Sequence, residues 1–533
     1  MTDVRMEERK QVRLAFWMIF ASACLVRCIG FAVVPTGVNQ DEAMAGVDAW
    51  ALSQYGTDRF GIRLPVHFTA WRYGQMSVLL SYCMVPFIKL FGFGIFSIRL
   101  PMLLASCGSV ALMYLVGKRL FSSRMALGIM LLTAVNPWHF MQSRWSLDCN
   151  LFPHVFLLAF YLLLVGLEKR AFLYSSMVFF GLTFYCYGIA AYSVPLFLAF
   201  LSGWYLWKRQ LRVREVLFCI LVFLLVALPE ILVLAINFFG LPTIETPLFT
   251  LSFFPESVRS RDILLLNFSF DQLWRNFRAM IRTCVLQTPG ALYNALPAFG
   301  PMYHLSIPFL LTGAVCFFRD LLREKDMARR AKMAALWGFF LLGVWVGLTT
   351  FEVNVNRINI IFFPLIFLCA YGIGALFRRF PKAGVAVCAV YGTCFLLFLW
   401  TYFTTFAEDI RTYFNVNFLE TVQEADSLEE YESLYITGHM DWQYNVDMAE
   451  ILTQYACEID AAYYQERTNV TGGRELAPYS KRYHFVNVDY LTEVEEGALY
   501  LIHVSELEKL PFAYQILEEK GRYCLLVPTP QKR

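Results

Sequence analysis

The sequence predicts a mostly α, polytopic transmembrane helix bundle of about eleven spans, followed by a small extracytoplasmic α/β domain. Three observations carry this prediction. Of the 533 residues, 58% are hydrophobic, 17% aromatic and only 16% charged, whereas a soluble domain runs near ~45–50% apolar and ~25% charged. Apolar runs long enough, or nearly so, to cross ~30 Å of hydrocarbon recur throughout the first 406 residues. The net charge of +3 is also split: residues 407–533 hold 10 Lys+Arg against 23 Asp+Glu, and the rest holds 35 against 19. An acidic, mixed block therefore follows a basic, apolar body. This composition excludes a disordered chain, a nucleic-acid binder and an ordinary cytosolic enzyme.

The runs lie at 14–34, 98–117, 125–138, 151–167, 171–189, 191–207, 216–239, 304–318, 333–351, 358–377 and 383–405. The first is long enough to span, and no cleavable signal peptide is apparent before it. A further stretch, 76–96, is apolar but interrupted by Pro86, Lys89, Gly92 and Gly94. Charge settles how it is read. If 76–96 does not cross and the N-terminus is inside, five cytoplasmic gaps collect 18 basic residues, from Lys118 to Lys382. The short outer gaps then keep only Arg144 and Arg357, as the positive-inside rule requires. Residues 76–96 are therefore expected to lie as a helix in the outer interface. Residues 1–406 form the membrane domain, with large external loops at 35–97 and 240–303, and residues 407–533 the extracytoplasmic domain. Within the latter, strand-like runs at 433–437, 484–488, 498–504 and 522–527 alternate with a helical run at 446–456. The 14 cysteines are scattered without a Cys-x-x-Cys pair and read as small apolar fillers; Cys457 and Cys524 are able to pair, though their spacing does not demand it.

Chemistry-bearing residues gather at the outer ends of spans. Asp41 and Glu42 open what reads as a helix just beyond the first run, with Asp48 further on. A carboxylate there is kept ionised by the helix dipole and unpaired N–H groups, as an N-cap pair or as a catalytic one. Arg144 and Asp148 stand four residues apart in the gap 139–150, one face of a helix if helical, as an internal ion pair or as binding groups. Asn354, Asn356 and Arg357 occupy another outer gap, and Arg99 opens the second span; either arginine is able to snorkel into headgroups. Convergence favours function. Asp41, Glu42, Arg99, Arg144, Asp148 and Arg357 fall at one level from five regions of the chain. Carboxylates suit general-base work, and the planar, always-charged guanidinium suits a phosphate. A phosphate at the bilayer surface most simply belongs to a lipid. Deeper, Arg27 and Glu230 each demand a partner or a polar cavity. No Walker loop, dinucleotide fingerprint or zinc-type histidine spacing is present.

This pattern resembles the GT-C superfamily of integral-membrane glycosyltransferases, and within it the bacterial relatives of protein O-mannosyltransferases and of the lipid A aminoarabinose transferase. The resemblance rests on Asp41-Glu42, on the segment from Phe91 to Pro101, on Gly117-Lys118-Arg119-Leu120-Phe121, and on Asn136-Pro137 leading to Arg144 and Asp148. It covers roughly residues 10–210, with Asn356-Arg357 as a later echo. It implies a polyprenyl-phosphate-linked sugar as donor, no nucleotide sugar or organic cofactor, and chemistry on the outer face of the cell membrane. Asp41 matches the family's general base and Asp148 its second-loop acid. Where relatives carry Lys-Pro-Pro or His-Pro-Pro, this chain has Arg72-Tyr73-Gly74-Gln75-Met76.

The expected reaction is an inverting transfer to an acceptor hydroxyl on a glycan, lipid or secreted protein. Asp41 takes the proton, Glu42 orients the acceptor or shares the proton, and Arg99, Arg144, Asn356 and Arg357 bind substrate. Asp148 positions the sugar or supports a divalent cation, although turnover without a metal is expected. The rival reading is a transporter or flippase of a lipid-linked glycan, to which Arg27 and Pro229-Glu230 lend support.

Overall fold

The computed structural model describes residues 2–70, 74–254, 269–288, 290–441, 443–462 and 482–529; Arg72 and Tyr73 lie outside them. The chain forms two compact units: Met1–Phe31, Pro101–Leu232 and Arg259–Phe406 make the first, and Ala32–Leu100, Val233–Val258 and Ala407–Arg533 the second. One of these boundaries falls between Phe406 and Ala407. Within the second unit, the first external loop joins the C-terminal block.

The helices are α1 Thr2–Cys28, α2 Gln40–Tyr55, α3 Leu79–Phe91, α4 Ile95–Leu120, α5 Ser123–Ala134, α6 Pro137–Gln142, α7 Asp148–Gly166, α8 Arg170–Leu182, α9 Ala190–Trp207 and α10 Val213–Phe239. They continue with α11 Phe270–Met280, α12 Ile307–Arg323, α13 Met327–Thr349, α14 Phe362–Arg379, α15 Ala383–Thr401, the short α16 Ala407–Asp409, α17 Val416–Ser427 and α18 Val446–Ala456. Among the described residues, nine helices are long and apolar enough to cross a membrane, which makes this a multi-pass membrane protein. Two of the eleven expected runs are shorter than their apolar composition implied. Residues 125–138 and 171–189 give α5 and α8, of 12 and 13 residues, or about 18–20 Å of helix. Helix α3 also has 13 residues.

Local chemistry sets the helix ends. Asn136 Oδ1 accepts from His139 N at 3.0 Å, and Pro137 takes the first helical position of α6. In the first unit, α12 and α14 approach backbone to backbone. A Cβ at Gly313 would lie 1.8 Å from the Leu368 carbonyl oxygen, and one at Gly372 would lie 2.0 Å from that of Phe309. Small residues permit such packing where apolar surroundings give helices little other reason to associate.

The second unit contains hairpins β1 Phe68–Ala70 with β2 Gly74–Met76 and β3 Ile244–Glu245 with β4 Thr250–Leu251. Its main sheet comprises β5 Leu434–Thr437, β6 Tyr483–Val486, β7 Leu499–His503, β8 Tyr514–Lys520 and β9 Tyr523–Pro528, in the order β6-β5-β7-β9-β8. Strand β5 runs parallel to β6 and β7, while β9 is antiparallel to β7 and β8. One face is sealed by Val488, Ala498, Tyr500, Ile502, Cys524 and Leu526. The four expected strands and α18 are all present; β8 and α17 are additions. All 14 cysteines are free thiols.

Candidate active site

Two clusters hold the residues singled out from the sequence, one in each unit. In the second unit, Asn39 caps α2: its side-chain oxygen accepts from Asp41 N at 3.0 Å, placing Asp41 and Glu42 in the first turn, where the dipole favours negative charge. The neighbouring carboxylates then diverge. Asp41 is partly exposed, whereas Glu42 is fully buried. Arg99 donates from Nε to Glu42 Oε1 and from Nη2 to Oε2, both at 2.9 Å. The same guanidinium reaches Pro35 O at 2.8 Å and Gly37 O at 2.9 Å, so one side chain fixes the loop and the helix it leads into. This bidentate fork is a geometry that lysine cannot reproduce.

That loop is closed by the C-terminal block. Val38 N donates to Phe414 O at 3.0 Å, Asn415 Nδ2 donates to Val38 O at 3.2 Å, and the Phe414 ring faces the Arg99 guanidinium at 5.9 Å. Gly37 has φ +80°, and a Cβ there would sit 2.2 Å from Phe414 O. Further along α2, buried Asp48 pairs with Arg59 at 2.5 Å, and Arg59 Nη2 also holds Thr69 O at 2.8 Å. Arg59 was not singled out from the sequence, since an exposed-looking charge eleven residues away gives no local signal of that contact.

In the first unit, Arg144 is fully buried. It donates to the carbonyls of Arg27, Ile29 and Gly30, each at 2.7 Å, capping the end of α1, and it lies against Phe140, Tyr402 and Phe403. The expected i,i+4 helical face with Asp148 does not form, because residues 143–147 are not helical. Asp148 opens α7, and its Oδ1 accepts from Cys149 N at 2.7 Å. Asn356 Oδ1 accepts from Gln142 at 3.3 Å, and Asn359 donates to Cys149 O at 2.6 Å. The segment bearing Arg357 is thereby tied to the segment bearing Asp148. Gln142 and Asn359 went unnoticed because neither residue type is distinctive alone. Arg357 is partly exposed and only loosely paired, with Glu352 at 3.8 Å.

Arg27 resolves as a structural charge. It donates to Ala23 O and Ala134 O at 3.1 Å and contacts His139 Nδ1 at 2.8 Å. Among the described residues, no group of three or more His, Cys, Asp or Glu side chains is arranged to hold a metal ion.

Comparison with known proteins shows what the chain resembles. Residues 76–232 match the family model described as dolichyl-phosphate-mannose-protein mannosyltransferase. The fold is similar to that of ArnT from Cupriavidus metallidurans in the apo state, with a TM-score of 0.57 at 13% identity over 96% of this chain and 98% of that one. ArnT bound to undecaprenyl phosphate matches with a TM-score of 0.55 at 12% identity, over 96% and 99%. The Archaeoglobus fulgidus oligosaccharyltransferase tethered to an acceptor peptide gives a TM-score of 0.52 at 12% identity, over 92% and 69%. No curated protein sequence matches the chain. The class so defined is a multi-pass membrane protein with an ArnT-like fold. The chain is similar to the dolichyl-phosphate-mannose-protein mannosyltransferase family over residues 76–232 and to ArnT in fold over nearly its whole length.

Proposed function

We propose that this enzyme moves a sugar from a polyprenyl-phosphate donor to an acceptor hydroxyl at the extracytoplasmic membrane face, with inversion and with Asp41 as general base. The observation that carries this reading is the divergence of the adjacent carboxylates: Glu42 is buried against Arg99, while Asp41 is partly exposed at the helix N-terminus. Asp41 takes the acceptor proton as the acceptor oxygen bonds to the anomeric carbon. The bond from that carbon to the phosphate oxygen breaks, and its electron pair leaves with the lipid phosphate. General-base assistance contributes about 10²–10⁴ in rate.

Glu42 and Arg99 act as positioning residues, fixing the turn that presents Asp41. Arg144 similarly holds the end of α1, and its guanidinium is occupied by carbonyls. Arg357, partly exposed and weakly paired, is the group assigned to the departing phosphate, whose growing charge it stabilises. Asn356 steadies the Arg357 segment, and Asp148 positions the sugar. The transporter reading loses support because Arg27 is satisfied by carbonyls and His139. The test is Asp41→Asn: turnover of a polyprenyl-phosphate sugar should fall by at least about a hundredfold while undecaprenyl phosphate still binds. Unchanged turnover would sink the proposal.

A further inference from the structure

Helix α11, with the π-helical turn Ile281–Val285 that continues it, divides into three sectors around its axis. Trp274, Phe277 and Ile281, following Phe270 at helical spacing, form one apolar face and are 54%, 42% and 37% exposed. Trp274 and Phe277 stack at 5.3 Å. Beside them, Arg275, Arg278 and Arg282 are exposed, with Arg278 lying over the Trp274 ring at 5.0 Å; Asp271 is the acidic residue of that sector. The third sector is docked. Gln272 Nε2 donates to Phe351 O at 2.5 Å, and Asn276 Nδ2 donates to Leu348 O at 3.0 Å and Thr350 O at 2.5 Å. Met280 packs so close to Gly347 that a Cβ there would lie 2.3 Å from its sulfur.

These bonds fasten α11 to the end of α13, a helix long and apolar enough to span. The end of a span is the depth at which hydrocarbon gives way to headgroups. An aromatic stripe beside a basic stripe is the pattern that rests at that boundary, with rings in the interface and guanidinium groups on lipid phosphates. We propose that α11 is an interfacial helix whose Trp274–Phe277–Ile281 face seats in an anionic bilayer while Arg275, Arg278 and Arg282 engage lipid phosphates. Through Gln272 and Asn276 it fixes the level of the segment from Leu348 to Arg357 against the membrane surface. The consequence for donor binding rests on the reading of Arg357 given above.

The occupant is lipid rather than a second protein copy because the exposed sectors match the two layers of a bilayer surface, apolar and anionic, side by side. The full chain is tested in vesicles of equal phosphatidylglycerol and phosphatidylcholine, with a photo-crosslinking benzophenone residue replacing Phe277. Lipid adducts are expected at 277 and at the lipid-exposed control Leu225, but not at buried Leu342. Phosphatidylglycerol adducts at 277 should exceed phosphatidylcholine adducts by about fivefold or more. The combined variant Arg275→Gln, Arg278→Gln, Arg282→Gln should bring that ratio to about one. Adducts at 225 with none at 277, or adducts joining 277 to a second copy of the chain, overturn the interfacial assignment. An even lipid ratio in the parent chain overturns the role of the arginines. Asn276→Ala should keep the adducts at 277 yet weaken undecaprenyl phosphate binding severalfold; unchanged binding overturns the levelling role. If Arg357→Ala leaves binding intact, the assignment of Arg357 fails while the adducts at 277 still stand.

Discussion

Glu42 and Arg99 are both fully shielded from solvent, with two nitrogen–oxygen contacts of 2.9 Å between them. Removing one partner of such a buried pair leaves a charge without its counter-ion and costs about 3–5 kcal/mol. Glu42→Ala and Arg99→Ala should therefore both lower the unfolding midpoint, and Arg99→Lys should rescue little, because a point charge cannot also reach Pro35 O and Gly37 O. Full rescue by lysine would refute the fork as the essential feature. Arg357, by contrast, is loosely paired, and its loss should act on binding. Arg357→Ala should weaken undecaprenyl phosphate binding by about 1.5–3 kcal/mol, Arg357→Lys by much less, with the unfolding midpoint unchanged in both. A metal-free reaction is also predicted from the donor set, since Glu42 is committed to Arg99 and Asp148 to the first turn of α7. Activity should survive excess EDTA; loss restored by manganese would reverse this. At this scale, the sequence made the charged residues legible by type and position. It did not separate their roles, because the carbonyls that occupy Arg99 and Arg144 belong to main chain far away in sequence.

Helix α2 owes its start to Asn39 and its end to Gly56, which sits at φ +69° and donates to Leu52 O at 3.1 Å. Asn39→Ala should cost about 1 kcal/mol and loosen the turn that presents Asp41, so that turnover falls more than stability does; Asn39→Asp should preserve both. If the alanine variant loses stability but keeps turnover, the cap has no part in orienting Asp41. The helix start was readable in advance from Asp41 and Glu42, acids that favour a first turn, but they were expected as the possible N-cap pair, whereas the cap is Asn39. Strand β8 was not, since Tyr514–Lys520 carries three charges on an exposed edge and is paired only through β9. The shortness of α5 has a nearby cause. Val135 ends that helix, and the Asn136-Pro137 cap immediately starts another, so a continuous apolar run is folded as two pieces.

At the scale of the whole molecule, the acidic block and the first external loop share one compact unit, a link visible only through contacts such as Val38 with Phe414. Within that unit, His439 stacks on His503 at 4.3 Å. Burial first, and then the neighbouring His503, hold its pKa below the usual 6.5. The unfolded chain therefore binds this proton more readily than the folded one, and stability is lost as pH falls below about 6.5 towards the lower folded value. The unfolding midpoint should drop between pH 7.5 and 5.5, and the drop should shrink in His439→Gln; an unaltered slope would remove His439 as its source. Charge also sets the orientation. Eighteen basic residues lie in the gaps assigned to the cytoplasm, and carrying them across the bilayer is disfavoured, so the N-terminus should be inside and residues 407–533 outside. In a cysteine-reduced chain, Glu430→Cys and Lys325→Cys both place a thiol at an exposed position. An impermeant thiol reagent applied to intact cells should label 430 and spare 325 until the membrane is opened. Labelling of 325 alone would invert the topology and, with it, place Asp41 and its chemistry on the cytoplasmic face.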